Sequence, residues 1–100
     1  MAHETSASIA AWGAETFGPV RDLGVLVQRA RVELAELESA ARAGDHGEIG
    51  KEAADVVILL HRLVGLVGKE LAAEVDAKMQ INRQRQWRPS GDGVGQHITE

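Results

Sequence analysis

The sequence predicts an all-α fold, on three observations. Apolar residues recur at steps of three and four along almost the whole chain, as one face of a helix requires. No Val-, Ile- or Thr-rich run alternates with period two between hairpin turns, so no strand is expected. Helix-stopping residues at Gly18-Pro19, Gly44, Gly68 and Pro89 divide the chain into four periodic stretches.

The first helix is expected over about Ser6 to Phe17, because the residue before a proline is pushed out of helical geometry. The second runs from about Asp22, a plausible N-cap, through Leu23, Leu26, Ala30, Leu34, Leu37 and Ala41 to Gly44, a good C-terminal stop. Asp45 or Gly47 opens the third, which carries Ile49, Ala53, Val56, Val57, Leu60, Leu63 and Val67 and halts near Gly68. The fourth is expected from about Lys69 to Trp87, with Pro89 ending it. These helices form one domain over residues 1–88, followed by a glycine-rich C-terminal tail, 89–100, read as a loop or flexible segment. The glycines at 91, 93 and 95 lack the preceding strand and following helix of a phosphate-binding loop.

Composition narrows the function. With 100 residues, 44% hydrophobic and 26% charged, one core is affordable and two are not. The absence of cysteine removes disulfides, thiolate metal sites and cysteine nucleophiles. The opening Met-Ala-His-Glu-Thr-Ser lacks the basic start and apolar core of a secretory leader, and no apolar run approaches membrane-spanning length. A cytoplasmic protein with no membrane partner is expected. The net charge of −4 argues against binding polymeric nucleic acid, which needs a basic face to displace counterions. That charge is segregated. Glu33 to Asp55 holds seven acids against two bases, whereas Lys78, Arg83, Arg85 and Arg88 lie in a stretch with no acid.

The third helix is apolar over about half its circumference, wider than one neighbour covers. A homodimer, built as a helical bundle, buries the excess. The alternative is that the first helix folds across this face within a monomer.

Glu33 and Glu36 are three apart on the second helix, and Glu52 and Asp55 three apart on the third, so each pair projects from one side. On the helical wheel, Glu33 and Glu36 fall between the stripe of Leu26, Ala30 and Leu37 and a second strip, Val25 and Val32. Glu52 shares the stripe of Leu59, Leu63 and Leu66, with Asp55 at its edge. The short turn at Gly44–Gly47 makes the helices antiparallel neighbours. Four carboxylates on a half-buried seam repel and lose hydration unless protonated or paired with cations. Oxygen-only ligands favour Mg²⁺, Mn²⁺ or Ca²⁺ over zinc. The competing reading is a set of solvated acids in salt bridges with Arg29, Lys51 or Arg62. A ferritin-type di-iron site lacks its Glu-x-x-His.

On the fourth helix, the stripe of Leu71 and Val75 continues at steps of three and four as Lys78, Asn82 and Arg85. A lysine, an amide and an arginine on one face can grip phosphate oxygens. A solvated helix end, its cations complementing the macrodipole, accounts for Arg83 and Arg88 but not for Asn82. Metal-binding acids opposite phosphate-binding cations are the minimum machinery for metal-assisted phosphoryl transfer.

Glu33-Leu-Ala-Glu36, a fifteen-residue gap and Glu52-Ala-Ala-Asp55-Val-Val together resemble the ExxE…ExxD signature of the MazG-like all-α nucleoside triphosphate pyrophosphatases. Trp12-Gly-Ala-Glu-Thr-Phe17-Gly-Pro and Lys78-Met-Gln-Ile-Asn82-Arg-Gln-Arg-Gln-Trp87 extend the likeness, and Asp92-Gly-Val-Gly-Gln-His97 is similar to the tail of the dATP/dGTP pyrophosphohydrolase subgroup. The resemblance implies a four-helix MazG-like bundle completed by oligomerisation, as a dimer or tetramer. It implies Mg²⁺-dependent cleavage of a nucleoside triphosphate, with a dNTP the expected substrate, to monophosphate and pyrophosphate, with Mn²⁺ able to substitute. Glu33, Glu36, Glu52 and Asp55 would be metal ligands, one of the glutamates also orienting the water, and Lys78 and Asn82 would contact phosphate. Arg85 is added from the wheel alone.

Trp12 and Phe17 can stack on a base or anchor the core. His61 reads as a core-rim or subunit-interface residue, and His97 as a group that can close over bound nucleotide. Two other readings of the whole remain: a phosphoribosyl-ATP pyrophosphohydrolase, which shares fold and metal chemistry, and a non-catalytic helical dimer whose charges set register.

Overall fold

The structure is a computed structural model that describes residues 3–98. Met1 and Ala2 of the opening segment, and Thr99 and Glu100 of the tail, lie outside the described residues. The order is α1 (Ser6–Phe17), α2 (Gly24–Ala43), α3 (His46–Leu66), α4 (Leu71–Gln84), then two short strands, β1 (Trp87–Pro89) and β2 (Gly95–His97).

Each helix begins and ends for a local reason. Thr5 caps α1 in a capping box with Ser8, the Thr5 hydroxyl accepting from Ser8 N at 3.0 Å and the Ser8 hydroxyl from Thr5 N at 2.8 Å, which stabilises a helix start by about 1 kcal/mol. Asp22 sits just outside α2, accepting from Gly24 N at 2.9 Å, while Leu23 is the cap itself. Gly44, at φ 68°, closes α2 in the left-handed conformation that a side chain would strain. Asp45 opens α3 by accepting from Glu48 N at 3.1 Å.

The principal packing is the antiparallel pair α2 and α3, with α1 laid across α3. The buried apolar residues are Ile9, Leu26, Ala30, Ala40 and Val56. At the α1–α3 crossing the backbones approach closely: a side chain at Gly65 would run into the Ser6 carbonyl and the Ala10 methyl. Arg62, buried in the same crossing, donates from one Nη to the carbonyls of Gly13 and Gly18, both at 3.2 Å, and its guanidinium stands 5.4 Å from the Phe17 ring centre. Thus α1 does fold over α3, burying Ile9, with small and polar groups at the closest approach. Val57, Ile58 and Leu66 on α3, and Val67 at its C-cap, stay exposed. The Cα radius of gyration is 15.9 Å, against about 13 Å for a compact chain of this length.

Two expectations are corrected. The fourth helix is shorter at both ends than Lys69–Trp87, because Glu70 caps it and Arg85 turns extended, at φ −81° and ψ 153°. The chain after Gln84 turns back as an antiparallel hairpin in which Trp87 pairs with His97, Arg88 with Gln96 and Pro89 with Gly95. The segment read as a loop therefore carries strands. Gly91 and Gly93, at φ 92° and 99°, make the reversal possible. The Trp87 indole donates to the Asn82 carbonyl at 2.8 Å, an acceptor in the last turn of α4 that also takes the Arg85 N–H at 3.3 Å.

Candidate metal centre and active site

The α2–α3 seam brings Glu33, Glu36 and Glu52 together, each offering a carboxylate oxygen within 4.8 Å of the others. Glu33 sits on the buried stripe of α2, seven residues after Leu26 and three after Ala30, and is 8% exposed. Glu36 is exposed, one turn further along, and Glu52 faces them half-buried from the first half of α3. Val25 and Val32, the second strip beside the α2 acids, are exposed. The seam is therefore covered on one side and open on the other.

Part of the acidic charge is compensated within the chain. Arg29 reaches Glu33 Oε1 at 2.9 Å from one turn earlier. Lys51 pairs with Glu48 instead, at 3.7 Å, and Arg62 is spent on backbone carbonyls, so neither neutralises the group. Glu52 Oε2 is buried without a hydrogen-bond partner. A carboxylate oxygen so placed is costly unless a proton or cation completes it. Three hard oxygen donors, one with an orphaned buried atom, fit a divalent ion such as Mg²⁺ or Mn²⁺ and suit zinc or copper poorly.

The remaining sequence candidates stand outside this group. Asp55 is exposed one turn beyond Glu52. Lys78 is exposed on α4, and Asn82, half-buried, holds its Oδ1 buried and unpartnered. Arg85 is not on the helical face that suggested it, since α4 has ended before it. No hydrogen bond or ion pair joins Lys78, Asn82 or Arg85 to the acids among the described residues.

Trp12 and Phe17 are 52% and 67% exposed and pack edge to face at 5.5 Å, so neither anchors the core. Trp12, Ile9, Ile58 and Glu4 line a groove of about 310 Å³. A second hollow, about 360 Å³, lies where the α1–α2 turn meets Leu26 and Arg62, with the Phe17 ring on its wall. His97 faces Trp87 across the hairpin at 6.0 Å. His61 is a rim residue, its Nδ1 2.8 Å from the hydroxyl of Ser6. Sequence reasoning passed over Ser6 and Glu70. A serine at the first turn of one helix and a glutamate just before another carried no spacing signal linking them.

A mostly helical fold with ExxE and ExxD pairs on two antiparallel helices defines the MazG-like class. A solved structure of that class, a Cyanophage S-2L MazG-like pyrophosphohydrolase bound to dGDP and three catalytic Mn²⁺ ions per active site, matches with a TM-score of 0.74 at 35% identity, covering 95% of this chain and 90% of that one. A family model described as dATP/dGTP pyrophosphohydrolase matches residues 5–100, and the chain belongs to that family. Among curated relatives, the dATP/dGTP diphosphohydrolase of Cyanophage S-2L is 36% identical over 95 residues, which are 95% of this chain and 86% of that protein. The dATP/dGTP diphosphohydrolase of Salmonella phage PMBT28 is 39% identical over 92 residues, 92% of this chain but 30% of the relative, so the chain spans less than a third of that protein's length.

Proposed function

We propose that the chain is a metal-dependent pyrophosphohydrolase that cleaves a purine deoxynucleoside triphosphate to its monophosphate and pyrophosphate. The observation that carries this reading is the unpartnered, buried Glu52 Oε2 within 4.8 Å of the oxygens offered by Glu33 and Glu36. The substrate class rests on family membership and on the names of the relatives.

Glu33, Glu36 and Glu52 hold the ions, with Asp55 a fourth ligand from the exposed end of the seam. Mg²⁺, or Mn²⁺ in its place, supplies charge neutralisation at the phosphate oxygens when bound. In the net reaction a water oxygen bonds to the α-phosphorus, the bond to the pyrophosphate oxygen breaks, and the water's proton passes to solvent. Glu36, exposed on the open side, is placed to orient that water or take its proton. Lys78 and Asn82 contact the phosphates from α4, Arg85 adds charge where the chain leaves that helix, and Trp12 offers its exposed face to the base.

The same reading includes a homodimer or tetramer. Its support is the exposed apolar set Val57, Ile58 and Leu66 on α3, Val67 at its C-cap and Val75 on α4. No described helix is long and apolar enough to cross a membrane, and a nucleotide substrate suits a cytoplasmic location.

The test is incubation with each canonical NTP and dNTP and Mn²⁺ or Mg²⁺, with products separated by ion-exchange chromatography. Monophosphate and pyrophosphate from dATP or dGTP are expected. Orthophosphate with diphosphate, or no turnover of any substrate, contradicts the reading.

A further inference from the structure

Among the described residues, the side-chain hydrogen bonds that tie the fourth helix to other helices lie at its start. The helix has no buried residue, and its most extensive packing is against α3. What fixes the start is a reciprocal cap between two helices far apart in sequence. Glu70, the N-cap of α4, receives the Ser6 N–H of α1 on Oε1 at 2.9 Å and the Ser6 hydroxyl on Oε2 at 2.8 Å. In return, the first N–H of α4, from Leu71, donates to Ser6 Oγ at 2.8 Å. Ser6 is fully buried, at 0% exposure.

The chemistry of the hydroxyl completes the assignment. Ser6 has one proton, which goes to Glu70, and two lone pairs, one taken by Leu71 N–H. His61 Nδ1, 2.8 Å away, therefore donates into the other, which fixes its tautomer. One serine thus joins α1, α3 and α4, and one carboxylate sits at the positive ends of two helices.

We infer that Ser6 and Glu70 are positioning residues for the phosphate-contacting face of α4. The inference rests on the proposed role of Lys78 and Asn82. Lys78 lies eight residues beyond Glu70, about 12 Å along the helix axis, so a tilt of about 10° at the cap displaces its backbone by about 2 Å. Asn82, at about 18 Å, moves about 3 Å. Displacements of about 1 Å at a reacting or gripping group reduce rates by factors of about a hundred. The carboxylates of the metal seam, on α2 and α3, are not carried by this lever.

The test uses Ser6→Ala and Glu70→Gln in the full chain, with Lys78→Ala as partner in a double-mutant cycle and dGTP with Mn²⁺ as substrate. Each cap variant is expected to raise KM about tenfold, to leave Mn²⁺ affinity measured calorimetrically within twofold, and to speed amide exchange in the first turn of α4. In the Lys78→Ala background the same substitutions are expected to raise KM clearly less than tenfold, because one of the two groups they position is gone. Equal, additive losses in both backgrounds overturn the inference and leave the cap as general stabilisation. If Lys78→Ala alone has normal kinetics, the phosphate role of α4 falls and the inference with it. Should Ser6→Ala fail to fold, Glu70→Gln, whose side chain is partly exposed, carries the cycle.

Discussion

Arg62 and Gly13 occupy one another's space. The guanidinium donates to the Gly13 carbonyl at 3.2 Å and lies where a side chain at position 13 would project, with Cζ only 2.8 Å from an added Cβ. Helix α1 can cross α3 over a buried cation only because residue 13 has no side chain.

Gly13→Ala is therefore expected to destabilise the fold. The guanidinium must move, abandoning its two carbonyls and its place over Phe17, and a buried charge left without partners costs about 3 kcal/mol. Urea denaturation measures this directly; a loss below about 0.5 kcal/mol means the crossing is looser than described.

The Ser6–Glu70 cap makes a pH prediction. The hydrogen bonds from the Ser6 hydroxyl and then the Ser6 N–H hold the Glu70 carboxyl below the ordinary glutamate value of 4.5; loss of hydration opposes them, and Ala72 N–H and nearby His61 add smaller contributions in the same direction as Ser6. A folded-state value below the unfolded one means the unfolded chain binds the proton first. The contribution is thus full above the ordinary value and is lost as pH falls through the folded value. Thermal melts from pH 7 to 3 should show a shallower acid loss for Glu70→Gln than for the parent. Parallel curves would show that Glu70 does not contribute this way.

Lys78→Ala should raise the Michaelis constant for a purine dNTP by tenfold or more while the melting temperature stays within about 2 °C, since the residue is exposed. Steady-state kinetics paired with a melt separates the two. A fall in stability with unchanged KM would make the cationic stripe structural.

The exposed aliphatic face of α3 predicts self-association. Sedimentation at micromolar concentration should give at least a dimer, and Ile58→Lys should weaken it, since a buried lysine without a partner is costly. A monomer for the parent chain contradicts the oligomeric reading.

The sequence made much of this legible. Gly44 and Asp45 mark the α2–α3 turn because a left-handed cap and an N-cap are local requirements, written in single residues. Glu33 and Glu36 were placed on the seam by periodicity, and Glu52 by the antiparallel turn. The hairpin was not visible, since Trp87-Arg88-Pro89 and Gly95-Gln96-His97 are too short to show an alternating pattern. Arg85 left the expected helical face because the wheel continues the helix past Gln84, whereas the chain turns extended at Arg85. The Ser6–Glu70 cap spans 64 positions, a pairing that only the packing of α1 against α3 and α4 creates.

The account's central claim is that Glu33, Glu36 and Glu52 form a divalent-metal site that carries hydrolysis. The most direct measurement is Mn²⁺ titration of the parent and of Glu52→Gln, followed by thermal shift, with dGTP turnover assayed in the same samples. The parent should gain melting temperature with Mn²⁺, as any ligand for the folded state requires. Glu52→Gln should melt no lower than the metal-free parent, because the lost oxygen had no partner, and should show neither the Mn²⁺ shift nor turnover. A Glu52→Gln protein that keeps both would contradict the claim.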